Sequence, residues 1–444
     1  MRKSDFIGLL LLAFVLGCRF VTPAADFYAE RCYPVISSGL SLCASIVPFS
    51  LEEVVVIGFI VAIVAVLVRA VRKKEGFLRW LGKTARVSMW LVVWLYMGWG
   101  NNYFRTPLYP RMGVQRATYE EEAFSRFLTD YTEALNGTAE ITASWDREAL
   151  EADVKEFYST IVSDFGYTGL RPWQHVKKPL LNPLYSAVGV LGFMGPFLCE
   201  SQLNLDLPEV EYPFTLAHEL AHLAGVTSEA EANYWAYVYC RQSDNPAVRY
   251  SGHLGLLPYA ATSAGYLLSE DAYAAWTETL SDKAKADYEA NHRYWEARRV
   301  GIIDRTQRWM MDRFLRSNGV REGAKDYYGV IGMLMTLDDS FGDRPDAWSY
   351  VSDPAKRSNP NDPTRTTPPK RPNPKFADRH NLHYTCFYGT LSRSARQFRR
   401  AKLHDRPCKG LQGTSRRSAN FGLKSTKTGF RRQISFIPQV DQGW

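Results

Sequence analysis

The chain has 444 residues, of which 46% are hydrophobic and 23% charged, and its formal net charge is +8. This length exceeds one average domain and accommodates a membrane region, a globular domain and further sequence. The positive charge is local, because residues 353–444 contain 20 Lys and Arg against 5 Asp and Glu. The remainder is acidic, so a general affinity for nucleic acid is not expected. Seven scattered cysteines without a CxxC pair argue against a thiolate zinc site and a dense disulfide framework.

Three apolar segments predict a transmembrane region over residues 1–105, with helices at about 6–22, 51–71 and 86–102. The second is the strongest, because Val54 to Val68 contains no charge. The first fits either an uncleaved span or the apolar core of a signal peptide. The segment between them is interpreted as a loop, in which Cys32 and Cys43 would either pair or remain free thiols. The third ends in aromatic residues typical of a membrane interface, namely Trp94, Tyr96, Trp99 and Tyr103.

Basic residues between the second and third segments predict the orientation of these helices. Seven Lys and Arg residues lie from Arg69 to Arg86, whereas residues 24–53 contain Arg31 as their single basic residue. Loops rich in Lys and Arg remain cytoplasmic. Everything after Gly100 is therefore expected on the extracytoplasmic side of the cell (inner) membrane, whether or not the first segment is cleaved.

Residues 106–340 predict a mostly α-helical globular domain. Helical periodicity covers 118–135, 144–165, 271–299 and 302–315. Asn136-Gly137 is expected to end the first of these helices. Residues 186–205 alternate small, apolar and β-favouring residues around Gly192 and Gly195, which predicts a small β hairpin or edge strand.

The segment His218-Glu219-Leu220-Ala221-His222 carries the strongest chemical signal. Residues four apart share a helix face, so His218 and His222 can present their imidazoles to one metal ion, with Glu219 beside them as a general base. Apolar flanking residues predict that this helix is buried, and two buried histidines with a carboxylate are costly unless they bind something. A buried polar network without a metal is the alternative.

A third metal ligand is expected shortly after this helix. Gly225 can end the helix in a left-handed conformation and reverse the chain. Ser228 and Glu231 then have capping-box spacing, which gives Glu231 a structural role. Glu229 lies in the first turn without such a partner and is the predicted third ligand, and Asn233 lies one turn further along as a candidate partner of a ligand.

Several segments together carry a resemblance to one family: residues 31–51 (RCYPVISSGLSLCASIVPFSL), 99–105 (WGNNYFR), 195–204, 213–234 and 249–252 (RYSG). The chain resembles, from about Arg2 to Leu337, an uncharacterised bacterial membrane family known as domain of unknown function thirty-eight ten, a presumed zinc-peptidase relative. The E-x-E-A-N segment, Glu229 to Asn233, is also similar to the helix that supplies the third glutamate in other HExxH peptidases. That similarity implies a ligand role for Glu229. The family itself implies no substrate.

The predicted fold class is mainly α, with N-terminal transmembrane helices followed by a zincin-like metallopeptidase domain with one hairpin. The predicted activity is zinc-dependent hydrolysis of peptide bonds outside the cytoplasm, with Glu219 as the catalytic base and His218, His222 and Glu229 as ligands of Zn²⁺. The expected partners are the lipid bilayer and a peptide or protein substrate. A catalytically inactive zinc-binding scaffold or sensor is the alternative function.

Weaker signals remain outside this hypothesis. Tyr250 and His253 are considered as stabilisers of an oxyanion, with a packed aromatic residue and an ordinary histidine as the alternatives. His175 and His292 are interpreted as incidental. Residues 341–444 lack a core-forming pattern and predict a basic, disordered tail, which as an anion-binding segment would suggest a third class of function.

Overall fold

The computed structural model describes residues 3–342 except 75, 118, 324, 325, 327 and 328. Helices dominate this part of the chain. They are α1 (Lys3–Phe20), α2 (Thr22–Phe27), α3 (Tyr33–Ala44), α4 (Leu51–Arg72), α5 (Phe77–Gly98), α6 (Leu108–Met112), α7 (Glu121–Ala139), α8 (Arg147–Phe165), α9 (Asn182–Val188), α10 (Tyr212–Leu223), α11 (Glu229–Gln242), α12 (Pro246–Leu267), α13 (Glu270–Thr279), α14 (Asp282–Glu296), α15 (Gly301–Ser317) and α16 (Val330–Gly342). Two strands, β1 (Gly192–Gly195) and β2 (Glu200–Leu203), pair antiparallel.

Helix α4 is long and apolar enough to cross a membrane. Its 22 residues correspond to about 33 Å, close to the thickness of a bilayer core. Among the described residues no other single helix meets that criterion, although α1 together with residues 22–44 would add one span if the pair, bent by 114°, were a single broken segment. Helix α5 packs against both α1 and α4. An ion pair between Arg86 and Asp5, at 2.7 Å, joins α5 to α1.

Two sequence interpretations of this region were wrong. The segment between the first two apolar runs is helical, comprising α2, a π-helical turn at Tyr28–Cys32 and α3, so Cys32 and Cys43 lie on helices as free thiols. Its small and polar residues hide the helix from a search for long apolar runs. The third helix begins at Phe77, about nine residues before the prediction, because its polar first turns continue the same helix.

The beginning of α4 is fastened to the globular domain by buried carboxylates. Glu52 accepts hydrogen bonds from the backbone N–H groups of Phe197 at 3.1 Å and Leu198 at 3.0 Å, in the turn between β1 and β2. Glu53 accepts from the N–H of Leu181 at 3.1 Å. Gly195 is required here, because a Cβ atom at that position would lie 2.4 Å from Cγ of Glu52. The apolar helix and the hairpin are therefore held as one unit.

The core of the globular domain is built on α10, α11 and α12, which pack on one another. Helix α8 and both strands also pack on α10, while α7 and α16 cover α12. The hairpin predicted within residues 186–205 is confirmed, with Phe193 paired to Gln202 and Gly195 to Glu200. It forms because four-residue strands flank a tight turn that α4 holds in place.

Two predicted helix boundaries were wrong. Helix α7 continues through Asn136-Gly137 to Ala139. The side chain of Asn136 is not a terminator, because it donates to the carbonyl of Thr279 and accepts from the N–H of Ser281, both at 2.8 Å. The single helix predicted over 271–299 is two, since Ser281 caps a new helix, α14. Of the tail predicted over 341–444, residues 343–444 lie outside the described part of the chain.

Candidate metal centre

Helix α10 carries the HExxH segment and is buried along its whole length. Leu216, Ala217, Leu220 and Ala221 are fully enclosed and pack the helix into the core. Two contacts hold α10 against the N-terminal helices: the indole of Trp99 donates to the carbonyl oxygen of His222 at 2.9 Å, and the hydroxyl of Tyr33 donates to that of Leu223 at 2.7 Å. The motif therefore lies where the globular domain meets the ends of α3 and α5.

A left-handed turn ends α10 as the sequence predicted. Gly225 has a φ of +101°. Its N–H bonds to the carbonyl of His222 at 3.0 Å, and the N–H of Val226 bonds to that of Ala221 at 3.1 Å. These two bonds form a Schellman motif, which satisfies carbonyl groups at the end of the helix. The turn also brings the carbonyl oxygen of Val226 within 2.9 Å of Nδ1 of His222.

The two histidines and Glu229 converge on one point. Their ligand atoms form a small triangle, in which Nε2 of His218 lies 3.1 Å from Nε2 of His222. Oε2 of Glu229 lies 3.2 Å from the first nitrogen and 3.3 Å from the second. Two ligand atoms that are each about 2.1 Å from a tetrahedral zinc ion are about 3.4 Å apart. The spacing therefore fits three of the four positions around such an ion.

Hydrogen bonds on the far side of each ring orient both histidines. Nδ1 of His222 lies 2.9 Å from the carbonyl oxygen of Val226, and Nδ1 of His218 lies 2.8 Å from Oδ1 of Asn233. A carbonyl oxygen only accepts, so Nδ1 of His222 carries a proton, and in the neutral form of the ring Nε2 presents a lone pair. The contact of Asn233 is the one that the sequence suggested. Partners of this kind fix metal-ligating histidines.

The charge balance of the triangle favours a cation at its centre. Burial opposes protonation of His222, but the adjacent Glu229 outweighs it and raises the pKa of the imidazole to about 9. Burial also opposes ionisation of Glu229, yet the two histidines hold the pKa of its carboxyl well below the usual range. Oε2 of Glu229 is buried, and its polar neighbours are the two Nε2 atoms at 3.2 and 3.3 Å. A buried carboxylate that favours a proton on a neighbouring imidazole favours positive charge at this point, and a metal ion can supply that charge in place of the proton.

Glu219 lies beside this triangle and against the hairpin. A Cβ atom at Gly192 would come within 2.6 Å of Oε1 of Glu219, so only glycine allows β1 to approach this carboxylate. Ser201, on β2, donates to the carbonyl of Glu219 at 3.2 Å. Burial raises the pKa of Glu219, while the two histidines oppose that shift. The sequence predicted the hairpin but gave no indication that Gly192 touches Glu219.

The second glutamate of the segment has a different environment from the one predicted. Ser228 does cap α11 by accepting from the N–H of Glu231. The carboxylate of Glu231, however, pairs with the guanidinium of Arg111 at 2.9 Å and accepts a short hydrogen bond from the hydroxyl of Tyr167. Trp235 donates to the same hydroxyl at 2.9 Å. Glu231 is thus part of a largely buried network with Arg111, Tyr167 and Trp235. The simple capping role was therefore an incomplete prediction.

Asp326 is a further residue at the site that sequence reasoning missed. Its Oδ2 accepts from the hydroxyl of Ser228 at 2.8 Å and from the N–H of Glu229 at 2.9 Å. A carboxylate at a helix N-terminus satisfies free N–H groups and interacts favourably with the helix dipole. Asp326 therefore fixes the first turn of α11, which carries Glu229. No local pattern connects residues so far apart in the chain.

The weaker candidates have other partners. The hydroxyl of Tyr250 donates to Asp287 at 2.8 Å. His253 is buried, contacts the hydroxyl of Tyr237 at 3.3 Å, and has its pKa lowered to about 4 by burial and nearby arginines. His175 pairs with Glu151 at the surface. His292 lies beside Glu296. None of these residues belongs to the cluster of His218, His222 and Glu229, which is the group of potential metal ligands found among the described residues.

These features define a mainly helical protein with an apolar helix of membrane-spanning length and a buried cluster of two histidines and a glutamate. The chain belongs to the family described as Protein of unknown function (DUF3810), which matches residues 28–335, well over half of its length. The resemblance inferred from the sequence is thereby confirmed at the level of the family. No curated protein and no solved structure matches the chain.

Proposed function

We propose that this protein is a membrane-anchored zinc metallopeptidase that hydrolyses peptide bonds outside the cytoplasm. The observation that carries the proposal is the convergence of Nε2 of His218, Nε2 of His222 and Oε2 of Glu229 at separations of 3.1 to 3.3 Å, with Glu219 adjacent. A zincin-like arrangement, in which two histidines of one helix and a glutamate of the next share a metal, accounts for this geometry.

The donor set fits zinc, because it consists of two imidazole nitrogens and one carboxylate oxygen. His218, His222 and Glu229 would hold the ion, and Asn233 and Val226 would keep the two rings in the required tautomer. When bound, zinc supplies Lewis acidity and lowers the pKa of water.

Glu219 is the group that moves protons in the proposed reaction. Its carboxylate takes a proton from the attacking water and transfers it to the amine nitrogen that leaves as the C–N bond breaks. Between the two transfers the carboxyl of Glu219 holds this proton. The contact with Gly192 keeps the carboxylate against the hairpin.

We further propose that α1, α4 and α5 all cross the membrane and that the metal centre lies on the extracytoplasmic side. The basic residues between Arg69 and Arg86 favour a cytoplasmic position for the α4–α5 connection. In that orientation the site would lie at the outer ends of these helices, because Trp99, directly after α5, contacts His222. The substrate would be a peptide or protein at that surface, and no nucleic acid is expected.

The experiment that tests the function is metal analysis and proteolysis with the Glu219→Gln variant of the full chain. Purified protein should contain one equivalent of zinc in both forms. The wild type should cleave quenched fluorescent casein, and the variant should lose at least about two orders of magnitude of that rate, the usual effect of removing a general base. Glu296→Gln, at an exposed position of α14, is the matched control and should keep full activity.

Two results would contradict the proposal in different ways. Equal turnover in the wild type and in Glu219→Gln would remove Glu219 from the mechanism. Bound zinc without any turnover in the wild type would favour the alternative, a catalytically inactive metal-binding scaffold or sensor.

A further inference from the structure

Helix α15 presents an apolar surface away from the protein. Ile302, Trp309 and Met310 are 70%, 53% and 60% exposed. At 100° per residue they lie within an arc of about 100° on one face of the helix. Asp304 and Leu315, on the opposite face, are buried. An amphipathic helix normally buries its apolar face, and here that face is open.

Helix α15 also carries four arginines against two aspartates, and Arg308 and Arg316 pair with Asp304 and Asp312, which leaves Arg305 and Arg313 as its excess positive charge. By helical spacing, Arg305 and Arg316 flank the apolar face on one side. Arg313 lies on that face, with its guanidinium 5.8 Å from the centre of the ring of Trp309. Tryptophan on an apolar face beside arginines is the composition of helices that lie in the plane of a membrane interface.

The contacts of α15 also favour a position at the membrane interface. Its C-terminal end touches the helices proposed to span the membrane: Arg19, at the end of α1, donates to the carbonyl of Ser317 at 2.9 Å, and the hydroxyl of Tyr96, on α5, donates to Asn318 at 2.6 Å. The rings of Tyr103 and Phe314 meet edge to face. The C-terminal end of α15 therefore lies at the ends of α1 and α5 that face the globular domain.

The apolar surface continues onto the segment 180–188. Val300, at the start of α15, donates to the carbonyl of Ala187 at 2.8 Å. Leu181 and Leu184 in this segment are 41% and 47% exposed. The N–H of Leu181 bonds to Glu53 in the first turn of α4. The segment 180–188 and α15 thus follow one another past the ends of α4, α5 and α1, and we call these two elements the collar.

We propose that the collar lies in the outer leaflet of the bilayer, with Leu181, Leu184, Ile302, Trp309 and Met310 in the acyl-chain boundary and with Arg305 and Arg313 at the lipid phosphates. The bilayer is favoured over a second copy of the chain because the collar is continuous with the ends of the membrane helices and is basic beside its apolar face. The inference rests on the membrane anchorage proposed above, but not on zinc or catalysis.

The test measures the lipid exposure of residue 310 in the full chain, reconstituted in vesicles of phosphatidylethanolamine and phosphatidylglycerol. An azide-bearing amino acid replaces Met310 and is coupled to the fluorophore NBD, which leaves the native cysteines unchanged. The same label at Val61, 60% exposed on α4, reports on the span, and the label at Glu133, exposed on α7, is the aqueous control. Shallow doxyl-labelled lipids and aqueous iodide serve as the two quenchers.

If the collar lies in the bilayer, doxyl lipid should quench the label at 310 at least about twofold more strongly than the label at 133. Iodide should quench the label at 133 more strongly than the label at 310. If iodide quenches the labels at 310 and 133 equally while lipid quenches the label at 61, the proposed position of the collar is overturned and the membrane anchorage is retained. Absence of lipid quenching at both 61 and 310 would overturn both. A third outcome is that neither quencher reaches the label at 310 and that this shielding disappears at a low protein-to-lipid ratio. Such a result would show that a second copy covers this face, and it would also overturn the proposal.

Discussion

Two glutamates separated by one residue have different roles, because their side chains leave α11 in different directions. Glu229 faces two imidazole nitrogens, whereas Glu231 faces the guanidinium of Arg111 and the hydroxyl of Tyr167. In the proposed metal centre the first glutamate is a ligand. The second neutralises a buried positive charge, and removal of one partner of such a pair is far more costly than loss of a helix cap.

Glu229→Ala should lose bound zinc while the protein remains folded, since it removes one of three ligands. Glu231→Ala should lower the free energy of unfolding by about 3 to 5 kcal/mol, because Arg111 remains buried without its carboxylate. Glu231→Gln, which keeps a hydrogen-bond acceptor, should be less destabilised. Zinc content of the folded fraction and chemical denaturation measure the two effects. Zinc lost from folded Glu231→Ala but kept by Glu229→Ala would show that the roles are exchanged.

At the scale of elements, the first turn of α11, which carries Glu229, is positioned by a residue from a distant part of the chain. Ser228 supplies a local cap for α11, and Asp326 adds a second one by accepting from both Ser228 and the N–H of Glu229. Asp326 does not belong to the ligand cluster. Its effect on the site passes through the backbone that holds Glu229.

Asp326→Ala should weaken zinc binding about 10- to 100-fold, the range seen when an outer partner of a ligand is removed, and should cost about 1 kcal/mol of stability as a lost cap. Ser281→Ala is the matched control, because Ser281 caps α14 by accepting from the N–H of Ala284. It should show a similar loss of stability with unchanged zinc affinity. Competition with a zinc chelator measures the affinity, and equal affinities in the two variants would exclude a positioning role for Asp326.

At the scale of the whole molecule, buried polar contacts make the apolar helices and the globular domain one structure. Glu52 binds the hairpin turn, and Trp99 and Tyr33 bind the end of α10. If α4 spans the membrane as proposed, its orientation therefore decides on which side the proposed metal centre lies. This connection makes topology a direct test of the proposed location.

A cysteine at Glu140 should react with a membrane-impermeant thiol reagent in spheroplasts of an expressing bacterium, and one at Lys73 should react only after the membrane is permeabilised. Both positions are exposed, and peptide mass spectrometry at the introduced residue avoids interference from native cysteines such as Cys43. Glu140 is preferred to Asn136, whose side chain holds α7 to α14. The reverse labelling pattern would put the metal centre in the cytoplasm.

The sequence alone was sufficient for the local geometry of the candidate site and for its clearest elements. A period of four residues brings His218 and His222 onto one face of α10, a glycine ends that helix, and Asn233 follows Glu229 by one turn of α11. The uncharged stretch from Val54 to Val68 predicts the long apolar helix, and the hairpin is a short-range pattern as well. Each of these features depends on residues close together in the chain, so backbone geometry determines them.

Tertiary structure decided what the same residues contact across long distances. Arg111 and Glu231 are 120 residues apart, and Asp326 and Glu229 are 97 residues apart. Neither pair produces a periodic signal, and a carboxylate in a first helical turn has the same local pattern whether it binds a metal, an arginine or its own helix. Gly192 is a further example, because a glycine in a short strand gives no sign of the carboxylate packed against it. Only the fold brings these groups together, because their contacts depend on how α6, α11 and the hairpin pack on the core.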